Sequence, residues 1–477
     1  MTIIYSPRAM VNISQKLILP LAMATIMLTT VKQISAQGIP QTISVTPKVS
    51  TGSVKGDADD PAIWIHPTNP SKSVVIGTDK AVAGGLHVWD MTGKQIQYVP
   101  LGRPNNVDVR YGMKIGGQLV DIAVTNSRVS PKQIKVFKIN PNDGTLADIT
   151  TGSGILTPQL ADPYGLCLYK RKSDGAMFVI ESTETGAKKN LYQYYLEDDG
   201  NGKVKGTHVR TFGNNTIQEF VEGLVADDEL GYVYASDETK AIRKYYADPD
   251  FGNNDQIVAF ATGDGISGDR EGLGLYQCAN GTGYLLLSNQ SGTNVKVYRR
   301  EGESGNPHQH TLLTTIKTNG SNETDGLDVT NRPTSSQFPK GFLITHNSPG
   351  KQFKLYAWEE IAQNFLAICP GTTTGIVAEN SNGLPNEFQL EQNFPNPFNP
   401  STTIPLHLEK SAYIKLTVIN LMGQTVRVLS EGVAAAGDHS VRWDGRNDAG
   451  EIVSAGVYLF RLESGKQAQI KKLVLVK

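Results

Sequence analysis

The residues best placed to do chemistry in this chain are carboxylates that return in strand-opening phrases. These are DDPAIW (from Asp59), NNVDVRY (from Asn105), VEGLVADDE (from Val221), REGLGLY (from Arg270) and TDGLDV (from Thr324), while PYGLCLY (from Pro163) presents Tyr164 in the same place. They recur roughly every 50 residues, the period of a four-stranded propeller blade and not of a helical repeat. Blades around one axis point equivalent positions at one mouth, which gathers Asp60, Asp108, Glu222, Glu271 and Asp325 into a ring of negative charge. Carboxylates so crowded repel, so they take up protons or share cations. The candidate ligands are hard oxygens, whereas the eight His and three Cys show no ligand spacing, which favours calcium over zinc or copper. No segment is a complete EF-hand loop, so calcium has to be held by residues distant in sequence.

A second set follows each phrase, where the next strand ends in a polar cluster: TDKAVAGG (from Thr78), TNSRVS (from Thr125), ESTETGAKK (from Glu181), SDETK (from Ser236), SNQSG (from Ser288) and THNSPG (from Thr345). One such cluster reads as a solvated hairpin loop. Six in register crown the same end as the carboxylates and bring Lys80, Arg128, Lys188 and Lys189 to it. Calcium in an oxygen-lined nest beside basic side chains is a site for a polyanion, and it predicts phosphoester hydrolysis by activated water without a covalent enzyme intermediate. Neither a GxSxG phrase nor a Walker loop competes with that chemistry.

The elements that must position these residues are short strands. Runs such as SVVIG, LVDIAVTN, YVYASD and YLLLSN alternate with turn signals from Thr42 to Ala362, with no long amphipathic helix between them. With 477 residues, 48 Gly, 24 Pro and 19% charged residues, the chain reads as all-β and multidomain. A net charge of -1 argues against a nucleic-acid binder. Residues 1–36 read as a signal peptide, with Arg8 and Lys16 ahead of an apolar stretch from Leu17 to Val31 that, at about 15 residues and carrying Pro20, is short for a membrane span. A propeller over 42–365, a linker over 366–387 and a small immunoglobulin-like β-sandwich over 388–477 complete the expected order. The odd cysteine count argues against a full disulfide framework, and Cys167 and Cys278 read as small buried residues. Trp64, Trp89 and Trp358 read as core. Asp227, Asp228 and Glu229 read as a turn, with Asp227 open to a place near the mouth, and the Ile43 to Val49 segment as a strand that closes the ring.

Taken in order over about 320 residues, DADDPAIW, NNVDVRY, YGLCLY, EGLVADDELGYVYASDE, DREGL and TDGLDV resemble the six-bladed β-propeller phytases. The resemblance implies several calcium ions at the mouth, phytate (myo-inositol hexakisphosphate) as substrate, and a calcium-bridged water attacking one phosphate while a second phosphate occupies an adjacent affinity site. It implies calcium ligands at Asp60, Glu222, Glu238, Asp269, Glu271 and Asp325, with Asp59 close by. Glu222, Tyr164 and Asp325 form the implied catalytic set, with Tyr164 holding or orienting a phosphate or water. Lys80, Arg128 and one of Lys188 or Lys189 are implied phosphate contacts. Asn106 and Asp108 match a phrase associated with calcium, although Asp108 equally suits a cap on its own turn. His346-Asn347-Ser348-Pro349 departs from the acidic or amide cluster common after the last inner strand, and His346 reads as a polar neighbour of the site.

The tail carries its own resemblance. NFPNPFNP, WDGRNDAG and VSAGVYLFRLESG look like the C-terminal sorting domain of the type IX secretion system, which implies partnership with that machinery and a secreted or outer-surface monomer. Two other functions fit a propeller of this kind. A calcium-dependent lactonase-like hydrolase needs no row of Lys and Arg, and a non-catalytic polyanion-binding propeller releases no phosphate.

Overall fold

The computed structural model describes residues 41–185, 189–250, 255–369, 388–420, 424–464 and 467–476. The expected signal peptide, most of the expected linker and Lys188 lie outside the described residues. Two units separate, Met1–Gly375 and Ile376–Lys477.

Among the described residues, the larger unit contains six sheets built on antiparallel strands. Their first strands are Ala58–Trp64, Val107–Ile115, Pro163–Lys170, Val221–Asp227, Arg270–Gln277 and Leu327–Thr330. These six touch neighbour to neighbour in chain order, and the last meets the first. Apolar side chains from adjacent sheets interleave, as Trp64, Val74, Ile76 and Leu86 do with Val107, Ala123 and Phe137. A strand covered on both faces needs no polar alternation, and Val74–Asp79 is buried throughout. Trp64, Trp89 and Trp358 are all fully buried core residues. The N-terminal segment divides between two sheets. Thr42–Val45 adds parallel to Leu312–Thr318 in the fifth, while Val49–Ser50 supplies the fourth strand of the sixth against Gln352–Ala357.

A short register break opens four of the inner strands, skipping Asp59-Asp60, Tyr164-Gly165, Glu222-Gly223 and Glu271-Gly272. Such bulges re-aim side chains. The repeated glycine has a matching cause: a Cβ on Gly165 would strike the Glu222 carbonyl, and one on Gly223 the Glu271 carbonyl. Each carboxylate-Gly or Tyr-Gly phrase is therefore a site residue followed by the place where the next sheet leans in.

The polar strand ends are anchors. In every sheet a side chain at the last or next-to-last position of the second strand accepts a backbone N–H ahead of the first: Asp79 from Asp57 at 2.7 Å, Asn126 from Asn105 at 2.9 Å, Thr183 from Asp162 at 3.2 Å, Asp237 from Glu219 at 2.7 Å, Asn289 from Ser267 at 2.9 Å and Asn347 from Asn322 at 3.0 Å. The residue one position later is thrust toward the mouth, which is where Lys80, Glu184, Glu238 and Gln290 stand. Arg128 follows its anchor by two.

One expectation about cysteine is corrected. Cys278 and Cys369 form a disulfide with Cα atoms 5.3 Å apart, leaving Cys167 free and buried. The segment after helix Trp358–Ala362 returns to the fifth sheet, where Tyr284 accepts the Ala367 N–H at 2.7 Å, Tyr276 accepts the Cys369 N–H at 3.1 Å and Trp358 stacks on Tyr276. A separation of 91 residues hides this proximity in the sequence. Asp227 also departs from a place near the mouth: it ends its strand at the far side, fully buried against the Arg300 guanidinium with two contacts of 2.6 Å.

The smaller unit has a three-stranded sheet (Phe388–Leu390, Thr402–Leu408, Gly437–Trp443) and a four-stranded sheet (Ala412–Ile419, Thr425–Ala434, Gly456–Ser464, Gln467–Leu475). Alternating burial along Gly456–Ser464 turns Tyr458, Phe460 and Leu462 into a core shared with Trp443, Ile404 and Leu416.

Candidate active site

Glu222 is the centre of the site. Its bulge directs the carboxylate inward, where Oε1 accepts from Asn105 Nδ2 at 2.8 Å and Oε2 from the Tyr164 hydroxyl at 2.9 Å. One oxygen from each of Glu222, Glu238 and Glu271 lies within 4.8 Å of the others. Burial raises the Glu222 carboxyl, but the hydrogen bond with Glu271 and the Lys80 charge outweigh it and hold it down to about 2. Glu271 goes the other way, raised by burial and by Glu222. Glu238, closer to solvent, is pushed up to about 7 by burial, Glu222 and Asp269.

Asp59 and Asp325 flank this trio and share Lys80. The ammonium lies 2.5 Å from Asp59 Oδ1 and 3.5 Å from Asp325 Oδ2. Burial opposes its charge, yet Asp59, Glu222 and Asp325 together raise it above the ordinary lysine range. Gln290 donates to Asp325 Oδ1 at 2.7 Å, and burial with Glu222 brings the Asp325 carboxyl to about 6 against the pull of Lys80. Asp60 lies below, buried, with Oδ2 accepting the Val107 N–H at 3.1 Å. His346 sits behind Asp325, its Nδ1 accepting the Asp325 N–H at 3.3 Å, and burial holds it neutral by lowering it to about 3.

Arg128 forms the basic side. It donates to Asn105 Oδ1 at 2.6 Å and Asp162 Oδ2 at 3.2 Å, contacts Glu184, and lies over the Tyr164 ring. Lys189 pairs with Glu219 at 3.2 Å and covers the Phe220 ring. Asn106 accepts from Asn105 at 2.9 Å and borders a small central cavity with Asp60 and Asp108. Asp108 itself is not brought into the Glu222 cluster. Two residues after Asn106, its carboxylate pairs with Arg110 at 3.0 Å and accepts the Val109 and Leu168 N–H groups at 2.6 and 2.7 Å. Its acceptor capacity is spent on protein donors, and it lies within the strand Val107–Ile115, where a cap on its own turn is the alternative expectation.

Two buried carboxylate oxygens in the site, Asp59 Oδ2 and Glu271 Oε2, have no hydrogen-bond partner. Together with a negative charge that Lys80 alone does not offset, they fit a hard divalent cation. Sequence reasoning missed Asn105, Asp162 and Gln290. Asn105 stood in the quoted NNVDVRY phrase, but an Asn pair before a strand reads as a turn.

A family model for phytase matches residues 10–370. The chain belongs to the phytase family. It is 36% identical over 316 residues to the 3-phytase of Bacillus subtilis (strain 168), a match spanning 64% of this chain and 81% of that one. As a phytase it is a phosphoric monoester hydrolase. A second model, for the FlgD Ig-like domain, matches residues 400–468 and assigns the smaller unit. Two solved structures are 12% identical: PorZ, an essential surface component of the type-IX secretion system of Porphyromonas gingivalis, with TM-score 0.34 over 90% of this chain and 53% of that chain, and the WD40 beta propeller domain of Doa1, with TM-score 0.36 over 67% and 98%. Similarity at that level carries no argument for this phytase.

Proposed function

We propose that this phytase is calcium-dependent and hydrolyses the phosphate monoesters of phytate at the mouth of a six-bladed β-propeller. The observation that carries the reading is the convergence of Glu222, Glu238 and Glu271 oxygens within 4.8 Å, beside Lys80 and Arg128. Glu222, Glu238, Glu271, Asp59 and Asp325 would hold the ions, with Asp60 and Asp269 at the margin. When bound, calcium supplies positive charge for phosphate oxygens and acidifies water in the site. The side chains do the rest. Lys80 and Arg128 hold neighbouring phosphates of the substrate, with Lys189 or Lys188 at the rim. Tyr164 fixes Glu222 through its hydroxyl and closes the floor under Arg128, so that the reacting ester is presented in one orientation. Several fixed cations beside one another suit a substrate bearing several phosphates.

We also propose export by the N-terminal signal peptide and delivery by the type IX secretion machinery through the Ig-like unit, supported by the NFPNPFNP phrase of the tail. Phosphate release from calcium phytate tests the catalytic reading: purified protein should free inorganic phosphate, and a chelator should stop it. Release undiminished by complete chelation would remove calcium from the reaction.

A further inference from the structure

Asn105 is fully buried, and both ends of its side-chain amide are used. The NH₂ donates to Glu222 Oε1 at 2.8 Å and to Asn106 Oδ1 at 2.9 Å, while Oδ1 accepts from Arg128 Nη1 at 2.6 Å. The orientation is forced, since a guanidinium only donates and an ionised carboxylate only accepts. Its backbone is held from both sides as well: the N–H goes to Asn126 Oδ1 at 2.9 Å, and the carbonyl accepts from Thr78 Oγ1 at 2.8 Å. Asn105 therefore lies between the carboxylate half of the mouth and its basic half, touching one member of each. The amide presents a donor to one and an acceptor to the other from two separate atoms.

We propose that Asn105 is a positioning residue that fixes Arg128 relative to Glu222, and so sets the spacing between the phosphate held by the basic side and the ester held by the carboxylate cluster. The inference rests on the proposed reading of Arg128 as a phosphate contact and Glu222 as a calcium ligand; the wild-type chelation assay tests the calcium dependence separately, and Arg128→Ala alone tests the phosphate contact. Removing the amide leaves Glu222 Oε1 and Arg128 Nη1 without this partner in a buried place. Each half then loses its fixed position while remaining present.

Four variants of the full chain test this by calcium affinity from titration calorimetry, by KM and kcat for phytate, and by melting temperature. Arg128→Ala should raise KM and leave calcium affinity unchanged. Asn105→Ala should weaken calcium binding and raise KM, each by about tenfold, the scale of one buried polar group left unpaired. The double variant Asn105→Ala/Arg128→Ala should have a KM no worse than Arg128→Ala alone, because both changes remove the same contact. Asn105→Asp, nearly isosteric, keeps an acceptor for Arg128 and should return KM to within about threefold of wild type while kcat stays low from the carboxylate set against Glu222. The inference is overturned if the Asn105→Ala and Arg128→Ala effects on KM add in full. It is equally overturned if both Asn105 variants lower only the melting temperature and leave KM and calcium affinity at wild-type values.

Discussion

Glu222 accepts from two neutral donors and sits against Glu271 and Lys80, so its charge is central to the site and peripheral to the fold. Glu222→Gln should cut turnover on phytate by about 100-fold, because the cluster proposed to hold calcium loses a full carboxylate charge at its centre. The melting temperature should move by no more than about 3 °C, since removing one of several crowded negative charges relieves repulsion as it loosens hydrogen bonds. Parallel losses of turnover and stability in a scanning calorimeter would make Glu222 a structural residue. His310 reports stability in the opposite way. It stacks on Phe260, holds the Arg299 carbonyl at 2.8 Å and lies 3.3 Å from the Lys244 ammonium. Burial and Lys244 lower it to about 4. The unfolded chain therefore takes up this proton first, and the stability that His310 contributes above pH 6.5 is lost as pH falls toward 4, by roughly 3 kcal/mol across the window. Replacing it as His310→Gln should flatten that part of the melting-temperature profile; an unchanged slope would assign it to other groups.

At the scale of elements, the repeat was legible because one physical device recurs: a bulged inner strand, a site residue, then a glycine where the next sheet approaches. The anchors were visible as polar strand ends, but their ordinary hairpin reading was half right, since Asp79, Asp237 and Asn289 hold loops and the residues after them reach the site. What was not legible depended on partners far away in sequence. Asp108 shares the phrase of Asn106 yet is claimed by Arg110 and the Leu168 N–H, and nothing local distinguishes a carboxylate that faces the mouth from one a turn deeper. The Cys278–Cys369 bond was hidden in the same way. It encloses Asp325 and three of the four strands of the sixth sheet, Leu327–Thr330, Phe342–Asn347 and Gln352–Ala357, so Cys278→Ser/Cys369→Ser should lower stability by about 2–4 kcal/mol and reductant should reproduce the loss in wild type. Equal melting temperatures of the oxidised and double-Ser proteins would contradict this.

At the scale of the molecule, the phytase and Ig-like units each carry their own core. Every residue of the proposed site belongs to the first, so deleting the chain beyond Glu387 should leave phytate hydrolysis per mole unchanged. An inactive but folded truncation, judged by circular dichroism, would tie the second unit to catalysis. The closing strand has a further consequence, in time. Val49–Ser50 pairs with Gln352–Ala357, and Thr42–Val45 with Leu312–Thr318, so the first strands made wait for nearly the last of their unit. Contacts this distant in sequence make ring closure a late and slow event. A chain still being synthesised cannot complete its acidic mouth, and the enzyme comes into being only after the whole catalytic unit is present at one place.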